Sequence, residues 1–354
     1  MIILGIETSC DETGVALAEK TSSDSFHILS NIIASSFLHH AKTGGIIPEI
    51  AAREQIKVML PVLKEALQSG LHYTLGDKAP PPIDAIAVTY GPGLIGSLLV
   101  GVETAKTLSL LWNKPLIPIN HMHGHIFANF ISDDQEEKNI SLPAIALVVS
   151  GGHTDLLILK EDNTIEVLGG TRDDAAGEAF DKIGRLMGFP YPAGATISRL
   201  ALNGDPKAFV LPRPMIGSKN YEFSFSGLKT AVYNLVKKNN WDFADESFLK
   251  NNEKLQSNLC ACVEHTIVDV LVKKTIAAAK EYNVSSILLG GGVAANNKLR
   301  SSLQKQTELL PTDCQLFVPS PALCTDNGAM IAAAGFFSKH ASWKDIEADP
   351  QLYY

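Results

Sequence analysis

The chain has 354 residues, 45% hydrophobic and 19% charged, with a formal net charge of -8. This is the balance of a folded globular protein, neither disordered nor fibrous, and a length beyond one ordinary domain predicts two lobes sharing a cleft. The acidic excess argues against gripping nucleic acid by bulk charge alone, although a local basic patch or a partner protein can supply what the average lacks.

In chain order, "IILGIET", a polar turn "SCDET" and "GVALAE" predict strand, turn and strand, with Asp11 and Glu12 in the turn. No leader's basic region or cleavage site precedes them, and no stretch approaches the roughly 20 uninterrupted apolar residues of a membrane span. Cytoplasmic residence without membrane attachment is the expectation. "DAIAVTYGPGLIGSLLVGVETAKTLSLLW" (84–112) then reads as a buried strand, a glycine turn and a helix.

"NHMHGHIFANF" (120–130) places His121, His123 and His125 within five positions. On a helix His121 and His125 lie one turn apart on the same face, and His123 points nearly the opposite way. Such a pair either chelates one ion or forms part of a polar helix face. Zinc peptidases of the HExxH kind put a glutamate after the first histidine to activate water. Here that position is Met122, which disfavours peptide hydrolysis.

"AIALVVS", "GGHT" and "DLLILK" (144–160) repeat the opening hairpin. "TRDDAAGEAFDKIGRLMG" (171–188) reads as a helix with Asp174, Glu178 and Asp181 on one stripe, either a solvated acidic face or, through Asp181, a ligand for ribose hydroxyls. "FSFSGLKTAV" (223–232) joins aromatics to a Ser-Gly turn and Lys229, a composition that core packing also explains. "SSILLGGGVAANNKLRSSLQKQ" (285–306) is a second strand, glycine turn and helix, matching 84–112. Last, "CTDNGAM" sets Asp326 just ahead of an apolar small-residue helix, as a third metal ligand or as its cap, a role open to Thr325 too. Two histidines and an aspartate suit iron or zinc with positions left for substrate oxygens. Five cysteines at irregular spacing, with no CxxC pair, indicate neither a disulfide framework nor a thiolate site.

Two hairpins and two glycine turns in the same order predict an α/β protein with duplicated RNase H-like lobes, the two-lobed plan of actin-like and sugar-kinase-like (ASKHA) nucleotide binders. The predicted division is residues 1–125, joined by a C-terminal helix at about 326–345, and residues 126–325, which carry an insertion at about 165–255. In this plan hairpin turns offer backbone amides to phosphates.

Taken together, "GIETSCDETGVAL", "GGIIPEIAAREQ", "AVTYGPGLIGSLLVG", "VVSGGHT", "DDAAGEAFDK", "RPM", "FSFSGLKT", "GGGVAANNKLR" and "CTDNGAMIA" span nearly the whole chain. They closely resemble the universal tRNA threonylcarbamoyladenosine-modifying transferases, the TsaD or Gcp type once labelled O-sialoglycoprotein endopeptidases. The resemblance implies transfer of threonylcarbamoyl from threonylcarbamoyl-AMP to the exocyclic amine of the adenosine after the anticodon, in tRNAs reading codons that begin with A. It puts one divalent metal, iron first and zinc second, on His121, His125 and Asp326. It puts nucleotide contacts on Val148, Val149, Ser150, Gly151, Gly152, Asp181, Gly194 and Asn296. It also implies a shorter paralogue, paired through the first lobe, and a P-loop ATPase as partners. His123 stands where bacterial members usually carry glutamate, and Ala193 where a second glycine is common.

Within that frame Asp11, with Glu12 second, is the expected proton acceptor for the adenine amine. Arg213, Lys219 and Lys229 are expected along the tRNA approach. The competing readings are an actin-like kinase or ATPase, which leaves the histidine pair unexplained, a metallopeptidase, and a catalytically silent paralogue.

Overall fold

The computed structural model describes residues 1–20, 26–36, 40, 45–132 and 138–353; Gly44, which opens "GGIIPEIAAREQ", lies outside them. The chain divides into two compact units, Met1–Ile140 with Pro319–Tyr354, and Ser141–Val318.

In the first unit β1 (Ile2–Glu7), β2 (Glu12–Lys20), β3 (Phe26–Ser35), β4 (Ala85–Gly91) and β5 (Leu116–Asn120) form one five-stranded sheet in the order β3-β2-β1-β4-β5. β2 runs antiparallel to β1 and β3, and β4 parallel to β1 and β5. β1 is an apolar run without alternation because both of its faces are covered. Leu4 and Ile6 pack with Met59, Val62 and Leu63 of α1 (Pro48–Leu71) and with Val102 and Leu108 of α2 (Ile95–Trp112). Ile3 and Gly5 meet α11 (Gly328–Gly335) from the opposite side. That helix is built of small residues, and the approach needs them: a Cβ on Gly5 would sit 2.5 Å from the Ala332 backbone nitrogen.

α2 has 18 residues and is long and apolar enough to span a membrane by length and composition, although Glu103 and Lys106 interrupt its apolar run. Its apolar residues have a local use: the helix packs against α1 and β4 and buries Leu98, Val102 and Ala105. After β5 comes α3 (His121–Phe127), whose Phe127 stacks on Phe337 with centroids 4.4 Å apart. Ile131 bridges Phe26, which keeps the chain beyond α3 in the first unit.

The second unit repeats the plan. β6 (Ala144–Val149), β7 (Thr154–Leu159), β8 (Ile165–Gly170), β9 (Ser286–Gly290) and β10 (Gln315–Phe317) form a sheet in the order β10-β9-β6-β7-β8, the first order with equivalent strands. The expected duplication is therefore present. Between β8 and β9 lie α4 (Ala176–Leu186), α5 (Gly194–Ala201), α6 (Ser226–Lys238), α7 (Glu246–Asn251) and α8 (Glu253–Glu281). α8 is buried on most of its circumference, from Leu259 to Ala279, and packs on α5, β6 and α9 (Asn297–Thr307). A short helix, α10 (Pro321–Cys324), precedes α11 in the first unit.

The helix expected over 171–188 begins only at Ala176. Thr171 donates its hydroxyl to the Asp174 carbonyl, and Asp173 is drawn away to residues 224–226, so short polar side chains hold this stretch outside the helix.

Candidate metal centre and nucleotide-facing turn

β5 ends at Asn120, whose side-chain oxygen accepts the Met122 N–H at 2.9 Å and starts α3 at His121. His121 and His125 then share a face, with ring centroids 4.8 Å apart. Gly124 between them lets α3 approach α11, since a Cβ there would lie 2.8 Å from Ile331 Cδ1. Asn327 caps α11 by accepting the Met330 N–H at 3.0 Å. Asp326 and Thr325 are thus relieved of capping, and the Asp326 carboxylate turns to the histidines.

Asp326 Oδ1 lies 3.3 Å from His125 Nε2 and 3.6 Å from His121 Nε2, and ligand atoms of the three residues lie within 4.8 Å of one another. Ligands held about 2.0–2.2 Å from one ion lie at most about 4.4 Å apart, which both carboxylate-to-imidazole distances satisfy. His125 Nε2 is buried and makes no hydrogen bond. Two imidazole nitrogens and a carboxylate converging on one point, one of them a buried nitrogen that makes no hydrogen bond, fit a divalent cation of the iron or zinc kind.

Behind His121 stands Glu7, at the end of β1 and fully buried. Its Oε2 lies 3.1 Å from His121 Nδ1 and accepts the Thr89 hydroxyl at 2.5 Å; its Oε1 accepts the Ser9 backbone N–H at 2.5 Å. Burial pushes the His121 imidazole down, but Glu7 and then Asp326 outweigh it and lift it to about 9. The pocket therefore attracts positive charge. His123 stands apart from the trio, and burial alone lowers it to about 4, which leaves it neutral at pH 7.

The β1–β2 turn is part of the same unit. The Gln55 amide on α1 donates to the Glu12 carbonyl at 2.8 Å and the Cys10 carbonyl at 3.1 Å, and the Ser36 hydroxyl donates to the Asp11 carbonyl at 2.9 Å. Burial, then the negative charges of Asp326 and Asp11, push the Glu12 carboxyl well above the usual range. Burial and the same carboxylates raise the Cys10 thiol, so Cys10 is a thiol and not a thiolate. Of the two expected acids in this turn, Glu12 holds its proton at neutral pH.

The other expected residues lie in the second unit. Val148 and Val149 close β6, and Ser150 to Gly152 form the turn to β7, where the His153 N–H reaches Ser150 Oγ at 3.1 Å. Gly151 and Gly152 are exposed, and a Cβ on either meets nothing within 4 Å. Gly291 takes a positive φ of 87° against the Val149 carbonyl, and Gly177 at the start of α4 donates its N–H to the Ser150 carbonyl at 3.2 Å. Asp181 Oδ1 accepts the Ala193 N–H at 2.7 Å, ahead of Gly194 and α5; burial raises its carboxyl, and the Ala193 and Gly194 amides oppose this. Asn296 accepts the Leu299 N–H and donates to Ser198 Oγ and Glu264 Oε1, each at 2.8 Å. Its side chain is committed to capping α9 and tying α5 to α8. The predicted acidic stripe is broken up, since Lys182 pairs with Asp174 at 2.5 Å and Glu178 at 2.9 Å while Asp181 turns to α5.

Glu7, Thr89 and Gln55 were not among the residues predicted from sequence. The available signal was a lone carboxylate closing the otherwise apolar strand "IILGIE".

A family model described as tRNA N6-adenosine threonylcarbamoyltransferase matches residues 27–333. A protein of that name from Thermosipho africanus is 48% identical over 99% of this chain and 99% of its own length. Another from Bacillus subtilis is 46% identical over 95% of this chain and 90% of its own. Among solved structures, full-length HypF in a phosphate- and nucleotide-bound form superposes with a TM-score of 0.56 at 13% identity, over 99% of this chain and 47% of that one. That likeness, with the duplicated sheets, gives the actin-like fold.

Proposed function

Because the chain belongs to the tRNA N6-adenosine threonylcarbamoyltransferase family, we propose that it catalyses one acyl transfer. The enzyme moves the threonylcarbamoyl group of threonylcarbamoyl-AMP to N6 of the adenosine 3′ of the anticodon in tRNAs reading codons that begin with A. A bond forms from N6 to the carbamoyl carbon, the bond from that carbon to the phosphate oxygen breaks, and AMP leaves with the electron pair.

His121, His125 and Asp326 hold one divalent metal, iron first and zinc second. When bound there, the ion supplies Lewis acidity toward oxygens of the acyl donor. Asp11 accepts the proton of the adenine amine, whose lone pair is delocalised into the ring and needs a base as the new bond forms. Glu12, which keeps its own proton, is hydrogen-bonded to Asp11 and steadies its carboxylate. In the second unit the amides of Ser150 to Gly152 face the phosphate of the leaving AMP, the fully buried Val148 and Val149 hold that turn at the end of β6, and Asp181 and Gly194 meet the ribose. Asn296 acts there by holding α5 and α8 in register.

The partners follow the same reading. α1 and α2 pack together yet expose Ile56 at 66%, Leu60 at 60% and Leu111 at 71%, an apolar face suited to helices of a shorter paralogue. A P-loop ATPase completes the assembly, and the cytoplasm, where unmodified tRNA is available, is the site of reaction. Lys219 is exposed and Lys229 half-buried, so both can meet tRNA phosphates, whereas the Arg213 guanidinium is engaged by Asp269 at 2.6 Å.

What carries this reading is the convergence of His121, His125 and Asp326 in a chain of this family. The test combines the purified chain with threonylcarbamoyl-AMP, unmodified tRNA and the two helper proteins, and follows threonylcarbamoyladenosine by mass spectrometry. Metal-dependent product is expected; no product from metal-loaded protein with competent helpers overturns it.

A further inference from the structure

We propose that Glu7 is the positioning residue of the metal centre: one buried carboxylate that fixes which nitrogen of His121 faces the ion and, through Ser9, where the β1–β2 turn begins. The inference rests on the metal reading of His121, His125 and Asp326.

The hydrogen-bond inventory leaves one arrangement. A carboxylate only accepts, and Oε2 of Glu7 lies 3.1 Å from His121 Nδ1, inside an environment where Glu7 is fully buried. Two lone pairs facing each other there would be repulsive, so Nδ1 carries the proton and donates it to Glu7. Ser9 Oγ, also 3.1 Å from Nδ1, takes a share of the same proton. In the neutral ring that an ion requires, Nε2 is then the bare nitrogen, and it is Nε2 that faces Asp326. The Thr89 hydroxyl donates to Oε2 and the Ser9 N–H to Oε1, so both oxygens of the carboxylate are held. Metal-bound histidines are generally held this way, with the outer nitrogen donating to an acceptor that fixes ring and tautomer. Here the acceptor comes from strand β1, outside the helix of His121, and also anchors the turn that carries Asp11 and leads into Glu12.

Glu7→Gln tests it. The glutamine amide can present N–H to Nδ1 and favour the opposite tautomer, so zinc affinity, measured by competition with a chromophoric chelator, is expected to fall roughly 10–100-fold. Glu7→Asp, which keeps the charge, should recover part of the loss. Circular dichroism and the unfolding midpoint of each variant separate this from misfolding. A second measurement needs no variant of Glu7: in wild-type protein 15N-labelled at histidine and loaded with zinc, the His121 resonances, identified with His121→Asn, should show a proton on Nδ1 and zinc on Nε2. Unchanged zinc affinity in folded Glu7→Gln, or zinc on Nδ1 of His121, overturns the role of Glu7 while leaving the metal reading intact. Wild-type protein that binds no zinc, cobalt or iron overturns both.

Discussion

His125 Nε2 and Asp326 Oδ1 face each other across 3.3 Å although they stand 201 positions apart in the chain, one on α3 and the other in the turn before α11. Each end is also positioned by its own helix. Asn120 caps α3 and Asn327 caps α11, and the two helices meet at Gly124. The pocket is thus assembled by local capping and close helix packing.

Asp326→Asn removes the only carboxylate of the trio and keeps its volume. Because Asn327 and not Asp326 caps α11, the unfolding midpoint of the metal-free protein should change little. Metal affinity should fall by more than the roughly 10–100-fold that loss of a supporting residue costs. Calorimetric titration with zinc alongside thermal unfolding checks both.

Gly5→Ala should act from a distance. The added Cβ would sit 2.5 Å from the Ala332 backbone nitrogen, so α11 must move. Overpacking of this kind costs about 1–3 kcal/mol or more. Since α11 carries the turn of Asp326, metal affinity should drop with stability. Denaturant unfolding and metal titration of one preparation would show the two losses together.

Much of this organisation is legible in the sequence, and what is missing has identifiable causes. The repeated hairpins are read from apolar runs broken by polar turns, and the histidine pair from its spacing on a capped helix. Glu7 is not legible, because its partners Thr89 and His121 lie 82 and 114 residues away. Residues 171–175 carry a helical pattern, yet Thr171 and Asp173 bond to backbone and to residues 224–226, which pattern alone does not reveal. The commitment of Asn296 to Ser198 and Glu264 is equally a tertiary fact.

Gly151→Ala separates binding from folding in the second unit. A Cβ there meets nothing within 4 Å, so stability should stay within about 0.5 kcal/mol of wild type. If the turn faces the phosphate of AMP, the methyl group should weaken AMP binding. Calorimetry with AMP reads this directly, and unchanged affinity would remove Gly151 from the nucleotide contacts.

Asp173 predicts a pH dependence. Burial pushes its carboxyl up, but bonds from Ser224, Phe225 and Ser226 outweigh this and hold it below the ordinary value. A carboxyl depressed in the folded state stabilises fully above its unfolded pKa, about 3.9, and loses that contribution as pH falls through the folded value. Asp173→Ala should therefore unfold earlier than wild type at pH 7, and the gap should narrow in acid. Urea midpoints at neutral and acidic pH give the comparison.

The most direct test of the central claim measures bound metal and threonylcarbamoyladenosine formation in the same preparations of wild type and of the doubly substituted His121→Ala, His125→Ala protein, with threonylcarbamoyl-AMP, tRNA and helper proteins supplied. Wild type should hold about one divalent ion per chain at this site and make the modified nucleoside, and the variant should lose both while remaining folded. A folded variant that binds no metal and still modifies tRNA at the wild-type rate would contradict the account.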